Sequence, residues 1–211
     1  MKKPSWIIFD VGGVLLDWRA SSDAVAKQLG VTHSELFDVL YDQTAQMSIG
    51  AKMTVGAISA EEGWTEILKR LGKTQFSTSD ILNQWFATEY WFPASLALVG
   101  DLHRAGYKLA IMSNSWLGLT HPEKRSAFPQ ELQYFTHIFD SSIDKVKKPA
   151  PEFYEVVEVG TKKNGSELLL VDDDQKNLTT ATSRQWQTFL FESDVAEQGE
   201  AAVRQLRGRL L

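Results

Sequence analysis

Five short apolar runs, at Trp6–Phe9, Leu109–Met112, Phe135–Phe139, Leu168–Val171 and Thr188–Phe191, are bounded by Gly, Asp or Ser and have the length of strands. Between most of them the apolar positions recur at helical spacing. Ala94–Arg104 sets Leu98, Val99 and Leu102 on one face ahead of Gly106, and Glu152–Val159 follows Pro149 and Pro151, residues suited to a helix start. A third helix is predicted from about Asn177 to a break near Gln185, and Asp194–Leu211 reads as a closing amphipathic helix. Such alternation predicts an α/β fold with a Rossmann-like parallel sheet covered on both faces.

One stretch does not alternate. Between Asp17 and about Tyr90 the pattern is helical throughout, punctuated by Gly30, Gly50, Gly56 and Gly72. Four helices are expected: one ending at Leu29, one striped by Leu36, Val39 and Leu40, one by Trp64, Ile67, Leu68 and Leu71, and one by Ile81, Leu82, Trp85 and Phe86. The last opens on the N-cap run Ser77-Thr78-Ser79-Asp80. The expected organisation is therefore a core of residues 1–16 and 91–211 and a small all-helical insertion of residues 17–90. Inserted directly after the first strand, this block sits over the carboxyl edge of the sheet, where ligands bind in such folds, and reads as a lid.

Composition narrows the chemistry. The 22 basic residues against 27 acidic ones give a formal charge of −5, the wrong sign for a nucleic-acid scaffold. Met1-Lys2-Lys3 and Trp6–Phe9 resemble the start of a secretory signal, but Asp10 interrupts the apolar run, and no run approaches the ~20 residues a bilayer requires. A soluble, cytoplasmic protein with no membrane or nucleic-acid partner is expected. The chain has no cysteine, so a metal must be held by oxygen or imidazole, and oxygen ligands point to a hard cation such as Mg2+.

The predicted strands deliver reactive groups at their carboxyl ends. The first ends in Asp10-Val11-Gly12-Gly13-Val14, the second in Ser113-Asn114-Ser115, the third precedes Asp140 and then Lys147-Lys148-Pro149, and the fourth ends in Asp172-Asp173-Asp174. Three adjacent like charges at a strand end repel, and a bound cation relieves the repulsion. A lysine at a helix start opposes the helix dipole, so Lys148 needs a reason to be there. Carboxylates, a hydroxyl and a lysine brought together suit phosphoryl transfer: a cation and the lysine cancel phosphate charge while one carboxylate attacks phosphorus. Gly12 and Gly13 would let backbone amides approach the phosphate.

In this order, Phe9-Asp10-Val11-Gly12-Gly13-Val14-Leu15, Met112-Ser113-Asn114, Lys147-Lys148-Pro149 with Phe153-Tyr154, and Val171-Asp172-Asp173 with Asn177, the sequence resembles the haloacid dehalogenase (HAD) superfamily of hydrolases. Its helical block resembles that family's small C1 cap. The resemblance implies a Mg2+-dependent phosphohydrolase for a small phosphorylated metabolite, with Asp10 as nucleophile and metal ligand. It further implies that the Gly12 carbonyl and Asp173 complete the protein's metal ligands, with Asp172 beside them holding waters. Ser113, Lys148, the Gly13 amide and Asn114, the last through its backbone or side chain, would bind phosphate, Lys148 would also bridge to Asp10, and Asn177 would give support. A monomer or weak homodimer is implied.

Gly12 departs from the pattern, because phosphatases of the family usually carry there a second Asp that serves as general acid and base. The Asp-x-Gly-Gly-Val form nevertheless resembles bacterial sugar-phosphate phosphatases of the glucose-1-phosphate type. Two other readings follow: a weakly active or non-catalytic domain that binds a phosphometabolite or a protein, and a metal-free 2-haloacid dehalogenase, which would have no use for Asp172 and Asp173. Asp17 reads as a hinge or helix cap. Trp64 and Trp85 read as core, Trp18 and Trp116 as better placed for a pocket, and His121 as a loop residue near the second motif.

Overall fold

The computed structural model describes residues 3–116, 128–193 and 196–211. His121 and Asp194 lie outside them. Strands β1 (Trp6–Phe9), β2 (Lys108–Ser113), β3 (Phe135–Asp140), β4 (Leu168–Asp172) and β5 (Gln187–Leu190) form one parallel sheet in the order β3-β2-β1-β4-β5. In register, Phe9 lies beside Ile111 of β2 and Val171 of β4, so Asp10, Met112 and Asp172 leave the sheet at the same edge. β1 is the central strand, and the chain turns to opposite sides of it, which opens a crevice at its carboxyl end.

Between β1 and the next core helix come α1 (Trp18–Leu29), α2 (His33–Leu40), α3 (Ile49–Thr54), α4 (Ala60–Arg70) and α5 (Thr78–Trp85). Each starts on a side chain that accepts from its first turn. Asp17 caps α1 through Ala20 N at 3.0 Å, Thr32 and Ser59 form reciprocal capping boxes with Glu35 and Glu62, and Ser48 and Ser77 cap α3 and α5. The helix α3 was not expected, because Gly50 reads as a break. In the fold Gly50 is helical, and a Cβ there would lie 2.8 Å from the Tyr41 ring and 3.0 Å from the Leu40 carbonyl. The missing side chain lets α3 close onto the end of α2.

The two connections to this block run side by side: Leu16 bridges Trp91, Asp17 N donates to Tyr90 O at 2.8 Å, and Phe92 N donates to Leu15 O at 2.8 Å. The core resumes with α6 (Pro93–Arg104), α7 (Ser141–Asp144), α8 (Pro151–Thr161), α9 (Gln175–Ser183) and α10 (Ala196–Leu210). Alternate strand residues face opposite layers. Ile7, Phe9, Ile111 and Val171 pack toward Leu98 and Leu102 of α6 and Val203 and Leu206 of α10, while Trp6, Ile8, Met112 and Leu170 meet Phe153 and Val157 of α8 and Leu178 of α9. With both faces covered, the strands read as continuous apolar runs.

The helical block also touches the core away from its connections. Ser141 Oγ donates to Thr54 O at 2.6 Å, Lys145 Nζ donates to Gly56 O at 2.7 Å, and Trp64 and Trp85 pack edge-on against Trp116 from the segment after β2. Gly56 has φ +59°, and a Cβ there would fall 1.9 Å from Ser142 O. No helix among the described residues is long and apolar enough to cross a membrane.

Candidate active site

The ends of β1, β2 and β4 meet around one buried ammonium group. Lys148 Nζ lies 2.9 Å from Asp10 Oδ1 and 2.6 Å from Asp172 Oδ2, with no side-chain exposure. The neighbouring peptide is fixed by Asn114 at the end of β2, whose Nδ2 donates to Lys148 O at 3.0 Å while its Oδ1 accepts from Lys148 N at 2.8 Å. This grip, and the two carboxylates, give Lys148 its reason to stand at a helix start.

The three adjacent aspartates divide the work. Asp172 is fully buried; its Oδ2 takes Lys148, and its Oδ1 accepts from Asn177 Nδ2 and Asp174 N, both at 2.9 Å. Asp172 thus positions Lys148, and it keeps a place in the carboxylate cluster with Asp10 and Asp173. Asn177 serves as support, as expected, and its carbonyl accepts from Tyr154 at 2.8 Å. Asp174 caps α9 by accepting from Lys176 N at 2.8 Å. Asp173 lines the cleft beside Asp10.

Burial, the charges of Asp172 and Asp173, and incomplete compensation by Lys148 push the Asp10 carboxyl up to about 7. Burial and the Asp172 charge push Asp173 up to about 6. Burial alone would lower Lys148, but Asp10 and Asp172 outweigh it and hold the ammonium well above the usual lysine value. Three carboxylates with one ammonium leave the site short of positive charge. Asp10, Asp172 and Asp173 each offer an oxygen within 4.8 Å of the others, a set of hard ligands that fits a divalent cation.

Gly13 does not meet expectation. Its N–H donates to Leu16 O at 2.8 Å and its carbonyl accepts from Ser193 Oγ at 2.5 Å, so it is not an amide waiting for phosphate. Its part is steric: φ is +74°, and a Cβ would lie 2.0 Å from Asp173 Oδ2. The Asn114 side chain is taken up by the Lys148 peptide, while the residue lines the cleft and its backbone is left for the expected phosphate contact. Lys148 bridges to Asp10 as expected, but its buried ammonium lies behind that carboxylate and is not part of the cleft lining. Ser113 is buried at the end of β2 and, with Gly12, lines the cleft.

Above these groups opens a cavity of about 470 Å³. Its other wall is aromatic: Trp18, Phe37, Tyr41, Trp85 and Phe86 come from the helical block and Trp116 from the core. Trp64 is core, as expected, while Trp85 is both packed and lining. Phe37 and Tyr41 escaped the sequence reading, which took Leu36, Val39 and Leu40 as the face of α2. The usable signal was the aromatic spacing His33, Phe37, Tyr41, one residue per helical turn; in the structure His33 stacks on Phe37 with ring centres 4.2 Å apart.

Comparison with known proteins agrees with the fold. The chain's fold is similar to that of a predicted HAD-like hydrolase from Porphyromonas gingivalis (20% identity, 98% of this chain and 99% of that one, TM-score 0.71). It is also similar to a HAD family enzyme from Bacteroides thetaiotaomicron in complex with magnesium and inorganic phosphate (22%, 91% and 96%, 0.67). A third likeness is to L-2-haloacid dehalogenase from Xanthobacter autotrophicus with chloropropionic acid covalently bound (17%, 99% and 84%, 0.64). No curated protein sequence gives a significant match. The sequence profile of the haloacid dehalogenase-like hydrolases matches residues 4–183, and the chain therefore belongs to that family.

Proposed function

We propose that the protein is a Mg2+-dependent phosphohydrolase that acts on a small phosphate monoester through an aspartyl-phosphate at Asp10. The observation that carries this reading is the pairing of Asp10 with Asp173 in a cleft floor that holds more negative than positive charge. Asp10, Asp173 and the Gly12 carbonyl would hold the cation, which when bound neutralises phosphate charge and lowers the Asp10 carboxyl into its ionised form. The described hydrogen bonds of Asp10 fall on Oδ1, from Val11 N at 2.7 Å and from Lys148, which leaves Oδ2 to form the bond to phosphorus.

The ester oxygen then departs on the side opposite Asp10, and Ser113 donates to a non-bridging oxygen of the transferred group. Water attacks the aspartyl-phosphate in the second step, releasing inorganic phosphate and restoring Asp10. Lys148 orients the carboxylate and favours its ionised form, while Asp172 and Asn114 position Lys148. The alternative of metal-free displacement at carbon, suggested by the likeness to a dehalogenase, leaves Asp173 without a part.

Hydrolysis of 4-nitrophenyl phosphate that requires Mg2+ and stops with EDTA is the expected result. Metal-independent release of chloride from 2-chloropropionate would replace this reading with the dehalogenase one. Phosphate binding with no turnover of any ester would favour a non-catalytic binding domain.

A further inference from the structure

The cleft has a charged floor and an aromatic roof, and the two imply different things about the substrate. In an in-line displacement the leaving oxygen points away from Asp10, toward the roof. Among the described residues lining that side are Trp18, Phe37, Tyr41, Trp85, Phe86 and Trp116, with no carboxylate, imidazole, ammonium or guanidinium. Arg19 stands 5.0 Å from the Trp18 ring centre and its charge reaches Asp173, but it does not line the cavity. Tyr41 carries the one ionisable proton of this wall, and burial raises its phenol above its ordinary value, away from that of a useful acid at neutral pH.

Among its described residues the floor offers no substitute, since Asp173 would hold the cation. Asp10 is the attacking group, Asp172 is bound to Lys148, and Asp174 caps α9. Gly12, where the family's phosphatases usually carry an acid, faces Trp18: a Cβ there would touch its Cδ1 at 3.4 Å. An alkyl ester leaves as a strongly basic alkoxide and depends on a proton donor, whereas a phenolate leaves unaided. Sugar hydroxyls need acceptors as well as donors, and the described roof, with the Tyr41 phenol and the donor-only indoles of Trp18, Trp85 and Trp116, is short of acceptors. Flat aromatic rings suit it: Phe37 stands 6.1 Å from Trp18 and 5.4 Å from Tyr41, ring centre to ring centre, with Trp18 and Phe37 only partly buried.

Building on the phosphohydrolase reading, we propose that the substrates are aryl phosphates, whose ring lies against Trp18 and Phe37 and whose leaving oxygen departs as a phenolate without a proton from the described residues of the cleft. In the first step Asp10 Oδ2 bonds to phosphorus as the P–O(aryl) bond breaks and the oxygen keeps the electron pair. The phenolate takes its proton from water afterwards. Water then hydrolyses the aspartyl-phosphate, so that ester plus water gives phenol plus phosphate.

The test is kcat/KM with Mg2+ across ring-substituted phenyl phosphates, glycerol phosphate and glucose phosphates. The expected result is a steep rise as the phenol becomes more acidic, with the alkyl esters at least about 10²-fold below phenyl phosphate, the scale of missing acid catalysis. Gly12→Asp should flatten this dependence and lift the alkyl esters at least about tenfold relative to aryl ones. Tyr41→Phe should leave the dependence unchanged. Trp18→Leu and Phe37→Leu should raise KM for phenyl phosphate severalfold while inhibition by inorganic phosphate stays as it is, a separation that misfolding would not produce. Alkyl esters within about tenfold of phenyl phosphate, or a dependence steepened by Tyr41→Phe, would overturn the proposal while leaving the phosphohydrolase reading intact. Failure of every ester would remove both.

Discussion

The floor and the roof of the cleft are built on opposite principles. In the floor, each polar group is fixed by another: Asn114 holds the Lys148 peptide, Asp172 and Asp10 hold its ammonium, and Asn177 holds Asp172. In the roof and the core behind it, the aromatic residues form two sets. Trp64, Trp85 and Trp116 pack edge-on with ring centres 5.2–5.9 Å apart and are buried, while Trp18, Phe37 and Tyr41 are only partly covered. Stored electrostatic order belongs below, and adaptable apolar surface above. A change in the floor should therefore act on chemistry and folding, and a change in the exposed set on substrate choice alone.

The largest effect expected is that of Asp10→Asn, which should lower kcat by at least about 10⁴-fold with the fold retained; circular dichroism and turnover together check this. Next come Lys148→Met and Trp64→Ala. The first leaves two buried carboxylates without their cation and should cost about 3–5 kcal/mol, and the second empties a fully buried site and should cost a similar ~3–5 kcal/mol, each read from denaturant unfolding. Their activities should differ: the lysine variant loses catalysis even where folded, and the tryptophan variant retains it.

Magnesium gives a smaller, pH-dependent effect. The folded carboxyls of Asp10 and Asp173 titrate at about 7 and about 6, above the value of 3.8 for a free aspartate. The metal-free fold binds more protons than the unfolded chain in this window, so the stability tied to these protons is complete below 3.8 and is lost as pH rises through about 7. Magnesium replaces those protons, so its gain in Tm should grow from pH 5 to pH 8, reaching about 5–10 °C at a hundredfold excess over its Kd. A gain that shrank with rising pH would contradict the assignment. The smallest effect belongs to the exposed roof: Phe37→Ala should change stability by no more than about 1 kcal/mol, while Trp64→Ala sets the contrast.

Much of the floor was legible in the sequence because each strand is a buried apolar run that stops at a polar group. Asp10, Ser113 and Asp172 mark those stops, and parallel register brings such stops to one edge. The separate duties of Asp172, Asp173 and Asp174 were not legible, because they depend on where Lys148 arrives from a segment far along the chain. Gly13 misled for a related reason: a glycine after a strand looks like an opening for phosphate, and the neighbour it actually admits is Asp173. The roof was read least well. Periodicity identifies the face of α2 that is buried, through Leu36 and Leu40, and gives no weight to an adjacent aromatic face that borders a cavity.

The hydrogen bonds from Ser141 to Thr54 and from Lys145 to Gly56 fasten the helical block at its α3 end, and the tryptophan cluster fastens it at α4 and α5. A rigid swing about the paired connections at Leu16 and Trp91 would have to rupture both attachments at once. Among the described residues the side without such attachments is that of α1 and α2, where Trp18, Phe37 and the adjoining Tyr41 border the cavity.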